Sequence, residues 1–502
     1  MTQKISFWGL GVWCLLGIAG AQAQTRPSDG ARALPVSTRL GFETITLPGD
    51  EAMGLLGGSY LMEFAPGWLG GPAVYGGATG HRGGFFVGGA ELAYRLPLAS
   101  RVRLEVGLFA GGGGGGGAPV GGGLMLRPHL DLLWRLSGPA DGPGVWAGLS
   151  ASSVRFPNGE IRSNQAGLVM AVDGDFIYTL PSAVGKSSSI WGRGGMGFDR
   201  ISISGAVGEP RGDGRQQRIG LAGFRLDHWL HPNVYWGMEA AGAAGGGAGG
   251  YAEILANLGF EQPIKGTPLA VGARTALGLG GGGAVPTDGG LLAKAGISIS
   301  LHLSRDFFVS LEGGTVNAPQ GAFRARYAQA SIGWDLDHPS NAPAALGRLS
   351  PRSWIEGMEW NLALEHVDGA ARKTGPDKSM QSVGLVLRRS LTELLYLTGQ
   401  AHSAFNGDAG AYSVGLVGAG VQSPVFAGRW SVGAELLAGA AGGGGVDTEG
   451  GAVVQPMLRL NLDLGPQSRA HLGVGRIRAL KGGLDSPVFE LAWGLAFGVP
   501  AR

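Results

Sequence analysis

Between Leu124 and Ser137 the chain alternates strictly. Leu124, Leu126, Pro128, Leu130, Leu132, Trp134 and Leu136 fall on one row, and Met125, Arg127, His129, Asp131, Leu133, Arg135 and Ser137 on the other. A period of two places successive side chains on opposite faces of a strand, whereas a helical face needs spacings of three and four. The alternation returns later. Val454, Pro456, Leu458, Leu460, Leu462 and Leu464 oppose Gln455, Met457, Arg459, Asn461 and Asp463, and Ile297, Ile299, Leu301 and Leu303 oppose Lys294, Ser298, Ser300 and His302. Carried along the chain, the pattern predicts about 24 strands of roughly 9 to 14 residues.

Glycine runs set a longer period. Ala110–Gly123 reads AGGGGGGGAPVGGG; Gly280–Gly283 is followed by AVPTD and Gly289-Gly290, and Gly442–Gly445 by VDTE and Gly450-Gly451. Other landmarks keep step: Val154, Val316 and Ile477 open related ten-residue stretches, 162 and 161 positions apart by subtraction. Gly54-Leu55, Gly220-Leu221 and Gly384-Leu385 are spaced by 166 and 164. We read three units of eight strands, 24–183, 184–345 and 346–502, each longer than a typical solenoid repeat. The glycine run lies at the outer end of the fifth strand of each unit, where it bends the sheet and lets backbones approach. No Lys-Ser or Lys-Thr follows Gly111–Gly117, so a phosphate-cradling loop is not indicated.

One apolar and one polar face, in strands of this length, fit a sheet with lipid outside and a polar interior; a sandwich would bury the apolar face between two sheets. The tryptophans favour lipid. With the units numbered from the periplasmic side, Trp68, Trp134, Trp146, Trp191, Trp229, Trp236, Trp334, Trp354, Trp360, Trp430 and Trp493 fall near inward-facing strand ends or on eighth strands. Grouping at one depth is the pattern of an interfacial aromatic belt.

Composition narrows the class further. Glycine supplies 98 of 502 residues without a collagen period, and 44% of residues are hydrophobic, too many for a typical disordered chain. A formal charge of +2 gives no reason to expect nucleic acid as a partner. Lys4, the apolar stretch Ile5–Ala19 and Ala21-Gln22-Ala23 read as a secretory signal peptide cleaved near Ala23. The one cysteine, Cys14, lies inside it, which excludes disulfides and thiolate sites from the processed chain.

Phe489, Leu491, Trp493, Leu495, Phe497 and Val499 alternate with Glu490, Ala492, Gly494, Ala496 and Gly498. The segment Gly494–Val499 resembles the signal by which Gram-negative outer-membrane β-barrel proteins are handed to the barrel-assembly machinery. It departs at Ala492, where a polar residue is usual, and in ending Pro500-Ala501-Arg502. This resemblance to the broad porin- and exporter-like class implies outer-membrane lipid and the assembly machinery as partners. The fold expected first is one transmembrane antiparallel up-and-down β-barrel of about 24 strands; the alternative is three consecutive barrels of about eight. A wide barrel would serve passive diffusion or polymer export, and closed small barrels a structural, adhesive or lipid-modifying role.

Candidate chemistry is sparse, and no cofactor or enzyme class is indicated. The sequence has no G-x-S-x-G, H-E-x-x-H or calcium-loop pattern. His402-Ser403 suggests an esterase only if a third orienting group exists, and Arg211-Gly212-Asp213 is ordinary turn chemistry. More informative are charges on the inward rows: Arg103, Glu105, Arg127, Asp131 and Arg135; Arg274, Lys294 and His302; Glu435, Arg459 and Asp463. They line a mixed-charge pore or fill a closed interior with ion pairs, depending on whether the strand near Arg39–Leu47 pairs with the last strand or with Ala166–Phe176.

Overall fold

A computed structural model describes residues 30–139, 142–188, 198–211, 218–304, 307–335 and 353–501. The expected signal peptide, Trp191 and most of the Arg211-Gly212-Asp213 tripeptide lie outside these residues. The described chain is all β apart from one short 3-10 turn, Pro181–Ala183. The first eight strands are β1 (Arg32–Leu47), β2 (Glu51–Ala65), β3 (Trp68–Thr79), β4 (Phe86–Ala99), β5 (Val102–Gly114), β6 (Met125–Ser137), β7 (Val145–Arg155) and β8 (Arg162–Tyr178). After a two-residue strand, β9 (Ser187–Ser188), come β10 (Arg200–Pro210), β11 (Ile219–His231), β12 (Val234–Gly246), β13 (Ala252–Pro263), β14 (Leu269–Gly281), β15 (Leu291–His302), β16 (Phe307–Asn317) and β17 (Arg324–Asp335). The last set is β18 (Ser353–Ala370), β19 (Lys378–Ser390), β20 (Leu395–Asn406), β21 (Ser413–Gln422), β22 (Trp430–Gly442), β23 (Ala452–Asp463), β24 (Ser468–Ala479) and β25 (Asp485–Ala501).

Each set of eight closes on itself. β1 pairs with β8, Arg39 opposite Ala171 and Glu43 opposite Gly167. β10 pairs with β17, Ile203 opposite Ile332, and β18 with β25, Trp360 opposite Leu495. The single wide barrel expected first is therefore replaced by three barrels of eight strands. The first and eighth strands of a unit run antiparallel with matching parity, so closure leaves no unpaired edge. Eight strands enclose a space that side chains fill.

The interiors are layered. At the end where the glycine runs lie, connecting loops fold inward and plug each mouth with apolar side chains. In the first barrel Phe85, Val120, Phe156 and Ile161 join Ile45, Met53 and Phe109. Tyr251, Val285 and Phe323 act likewise in the second barrel, and Tyr412, Val446 and Leu484 in the third. Below these plugs the inward rows carry charge. Outward rows are aliphatic: Leu108, Leu130 and Leu149 are exposed on the first barrel, Ile297, Leu311 and Ile332 on the second, and Leu436, Leu458 and Leu472 on the third. Burying charge while exposing large aliphatics inverts the usual arrangement of a protein in water.

The glycine runs join the barrels. Along β5 the outward row passes from the exposed Val106 and Leu108 to Ala110 and Gly112. A Cβ on Gly112 would lie 2.8 Å from the Ala404 carbonyl oxygen of β20, and one on Gly123 2.7 Å from Gly410 Cα. At the end of β14, a Cβ on Gly281 would lie 2.5 Å from Gly83 C and Gly84 N, beyond β3. At the end of β22, Ala440 Cβ faces Gly242 of β12, where a Cβ would stand 3.1 Å away. The fifth strand of each barrel thus packs on the third strand of another, and the three seams close a ring. Side chains cannot occupy such contacts, so the seams need glycine and alanine.

At the opposite end, the first and third barrels meet through an aromatic cluster. Phe176 of β8 packs 5.1 Å from Phe497 and 5.5 Å from Trp360. Thr179 and Gly498 exchange two backbone hydrogen bonds of 2.9 Å, and β9 pairs with the start of β18.

Candidate functional site

The chemistry of the chain is concentrated inside the barrels, where period-two alternation sends polar residues of neighbouring strands to a common axis. In the first barrel Arg39 of β1 reaches Glu91 at 3.0 Å and Glu105 at 2.5 Å. Arg127 clamps Glu43 through Nε and Nη2 at 2.8 and 2.9 Å, and Ser152 Oγ donates to the same carboxylate at 2.6 Å. Arg103 pairs with Asp173 at 2.5 Å. His129 stands 3.1 Å from Asp131.

The second barrel repeats the principle with other residues. Arg200 engages Glu261 through two bonds of 2.9 and 3.0 Å, and Asp335 at 2.6 Å. Arg274 holds Glu312 by two bonds of 2.8 Å and Glu239 at 2.5 Å, and Lys294 reaches Glu239 at 3.0 Å. In the third barrel Arg459 bridges Glu435, at 2.6 Å, and Glu490. Arg388 meets Glu435 at 3.0 Å, and His471 lies 2.5 Å from Glu359. Two-pronged arginine–carboxylate contacts are the strong kind of ion pair. At this depth each partner lowers the cost of holding the other away from water.

Eight of the eleven inward charges named from the sequence are buried among these partners: Arg103, Glu105, Arg127, Asp131, Arg274, Lys294, Glu435 and Arg459. Three lie at the barrel end away from the glycine runs. Arg135 stacks 4.4 Å over Trp146, His302 stands 3.7 Å from Glu261, and Asp463 pairs with Arg469 at 2.6 Å. Sequence reading missed Arg39, Glu43, Glu91, Arg200, Glu239 and Glu261. Parity would have found several of them, since Arg39 and Glu43 share the odd-numbered row of β1 with Ser37.

The tryptophans divide. Trp68, Trp134, Trp334 and Trp493 are exposed on the outer wall, and Trp236 and Trp430 are half-buried. Trp360 belongs to the aromatic cluster against the first barrel; the Trp354 side chain lies outside the described set. Trp146 and Trp229 depart from the belt and are buried inside. Trp146 donates to Asp173 at 2.6 Å beneath Arg103, and Trp229 lies 4.6 Å from the Arg200 guanidinium. Their row explains this. Trp146 shares parity with Ser150 and Ser152, and Trp229 with Arg225 and Asp227, all inward. His402 and Ser403 cannot act as a catalytic pair, because successive residues of β20 project to opposite faces, His402 inward and fully buried.

Two small cavities lie between the inward side chains. A cavity of about 30 Å³ in the first barrel is lined by Arg39, Glu43, Tyr75, Glu91, Arg127 and Asp131 among others, and one of about 10 Å³ in the second by Glu239, Glu253 and Lys294 among others. These volumes hold a water molecule or two.

No protein-family model and no curated protein sequence matches the chain. Among solved structures, Pseudomonas aeruginosa OpdK with vanillate aligns over 94% of this chain and 100% of its own, at 11% identity and a TM-score of 0.23. OccK8 (OprE) of the same organism aligns over 94% and 98%, at 8% identity and 0.22. A mutant of its ferric enterobactin receptor PfeA covers 94% and 81%, at 11% identity and 0.29. Scores this low carry no argument about shared topology or activity. By its own geometry, closed up-and-down barrels of even strand number with polar interiors and aliphatic walls, the chain has the fold of the outer-membrane β-barrel class.

Proposed function

We propose that the chain is an outer-membrane protein in which three closed barrels form one membrane-embedded ring with a structural role. The observation that carries this reading is the inversion of polarity: outward rows of leucine, isoleucine and valine enclose interiors of paired arginine, glutamate and aspartate. Such a wall suits hydrocarbon, and such an interior fills an eight-stranded barrel. The aromatic residues exposed near one end of the strands support an interfacial position there. The side of the glycine runs is then outermost, and the last strand, β25, is the segment offered to the assembly machinery.

The inward charges favour packing over permeation. They engage one another at ion-pair distance, apolar plugs lie above them, and the cavities of about 30 and 10 Å³ among them in the first and second barrels take only a water or two. In planar bilayers we expect the folded protein to give no large unitary conductance steps. Large steps, with selectivity altered by reversing charge at Arg127 or Arg459, would overturn the closed reading in favour of a channel. Recovery of the protein outside the outer-membrane fraction would overturn the location.

A further inference from the structure

Among the described residues, the buried carboxylates of the three barrels each face a basic nitrogen, with one exception. Fifteen of the described aspartates and glutamates are buried. Among the described residues, Glu365 of β18 alone in that set has no cationic nitrogen within 4 Å. Its Oε2 accepts one hydrogen bond, from Gln455 Nε2 at 3.1 Å, and its Oε1 has no partner. An unpaired carboxylate inside a barrel is costly.

The group opposite is unsatisfied as well. His402 of β20 has a fully buried side chain, and neither ring nitrogen has a hydrogen-bond partner. Its nearest carboxylate is Glu490 Oε2 of β25, 4.0 Å from Nε2. The other buried imidazoles each stand closer to a carboxylate, at 3.1 Å for His129, 3.3 Å for His228 and 2.5 Å for His471. The ring has a built seat, since Gly384 of β19 lacks the Cβ that would collide with it.

We propose that Glu365, His402 and Glu490 form a binding site for one divalent transition-metal ion, zinc in the first instance. One ligand atom from each residue lies within 4.8 Å of the others. Small side-chain rotations bring such a set to the spacing of about 3.3 Å that ligands around a tetrahedral ion require. One imidazole nitrogen with two carboxylate oxygens suits zinc, iron(II) and manganese(II) better than the soft copper(I) ion. Outer partners are in place to orient the ligands, Gln455 on Glu365 and Arg459 on Glu490. The apolar plug of the third barrel closes over this level, so the ion enters as the barrel folds. The role is structural: the ion supplies the positive charge that Arg127 supplies to Glu43 in the first barrel.

The test uses the untagged full chain folded into detergent with zinc or cobalt(II), then freed of loose metal by gel filtration. Elemental analysis should find about one ion per chain, and the cobalt form should show visible d–d absorption. Glu365→Gln and His402→Gln should each lose at least ten-fold in retained metal while still migrating as folded barrels. Should either variant fail to fold, the wild-type measurement decides alone. A wild-type chain that folds in zinc, cobalt or manganese and retains none overturns the proposal. Folded variants that retain as much metal as the wild type do so too, and neither result bears on the membrane reading.

Discussion

Gly442 and Gly250 meet backbone to backbone across the seam between the third and second barrels; a Cβ on Gly442 would stand 2.6 Å from the Gly250 amide nitrogen and 2.7 Å from its Cα. Neither contact is with the far end of a flexible side chain that could move away. Gly442→Val should therefore force the seam apart at about 1–3 kcal/mol. With a protease site inserted within 336–352, we expect the cleaved third barrel to stay with the other two in the wild type and to separate more readily in the variant. Gly415→Ala, whose Cβ would enter open space, should behave as wild type.

Arg200 is fully buried and serves Glu261 and Asp335 together. Removing it as Arg200→Met strands two carboxylates in the barrel, at an expected cost of about 3–5 kcal/mol in urea unfolding followed by loss of the fast-migrating folded band. Arg218→Met breaks a pair with Glu209 in which both side chains are more than half exposed. That change should lie within about 1 kcal/mol of wild type.

The outer wall gives a test of the solvent it faces. Leu436 is 66% exposed on β22. If hydrocarbon covers it, Leu436→Arg should destabilise the folded protein in bilayers by about 2–4 kcal/mol, depending on depth. Were the wall in contact with water, the same change would fall within about 0.5 kcal/mol.

Acid sensitivity should include a small contribution from the outer loops. The Lys378 ammonium, 2.6 Å from the Asp408 carboxylate, holds that carboxyl below its ordinary value of 3.8. A depressed carboxyl pKa stabilises the fold above the ordinary value, and the contribution disappears as pH falls through the lowered one. Asp408→Asn should thus be slightly less stable than wild type at neutral pH. The two stability curves should converge in strong acid; curves that stay parallel would contradict this pairing. The effect is slight because both groups are largely exposed.

The strands were readable because alternation survives in the charged rows: Arg127, His129 and Asp131 between leucines and a proline leave no other periodicity. Closure was not readable. β1 finds an antiparallel partner of suitable parity in β8, but β25 offers the same, and the choice depends on how well eight strands pack around Arg39, Arg127 and Glu43. Tryptophan position along the chain signalled depth without signalling face, which is why Trp146 and Trp229 were placed on the wall. The glycine runs marked the rim correctly, yet what they touch lies in another barrel. The clue was the change from Val106 and Leu108 to Ala110 and Gly112 on one row.

The seams match the fifth strand of one barrel to the third strand of another, a head-to-tail contact that three copies of a single barrel could make equally well. Held in one chain, the three lobes no longer depend on protein concentration to find each other, and each lobe always occupies the same station. Identical subunits would have to carry every interior change in triplicate. Here an interior can vary in one lobe and leave the other two alone, as the third barrel does with Glu365 and His402 facing each other and no arginine between.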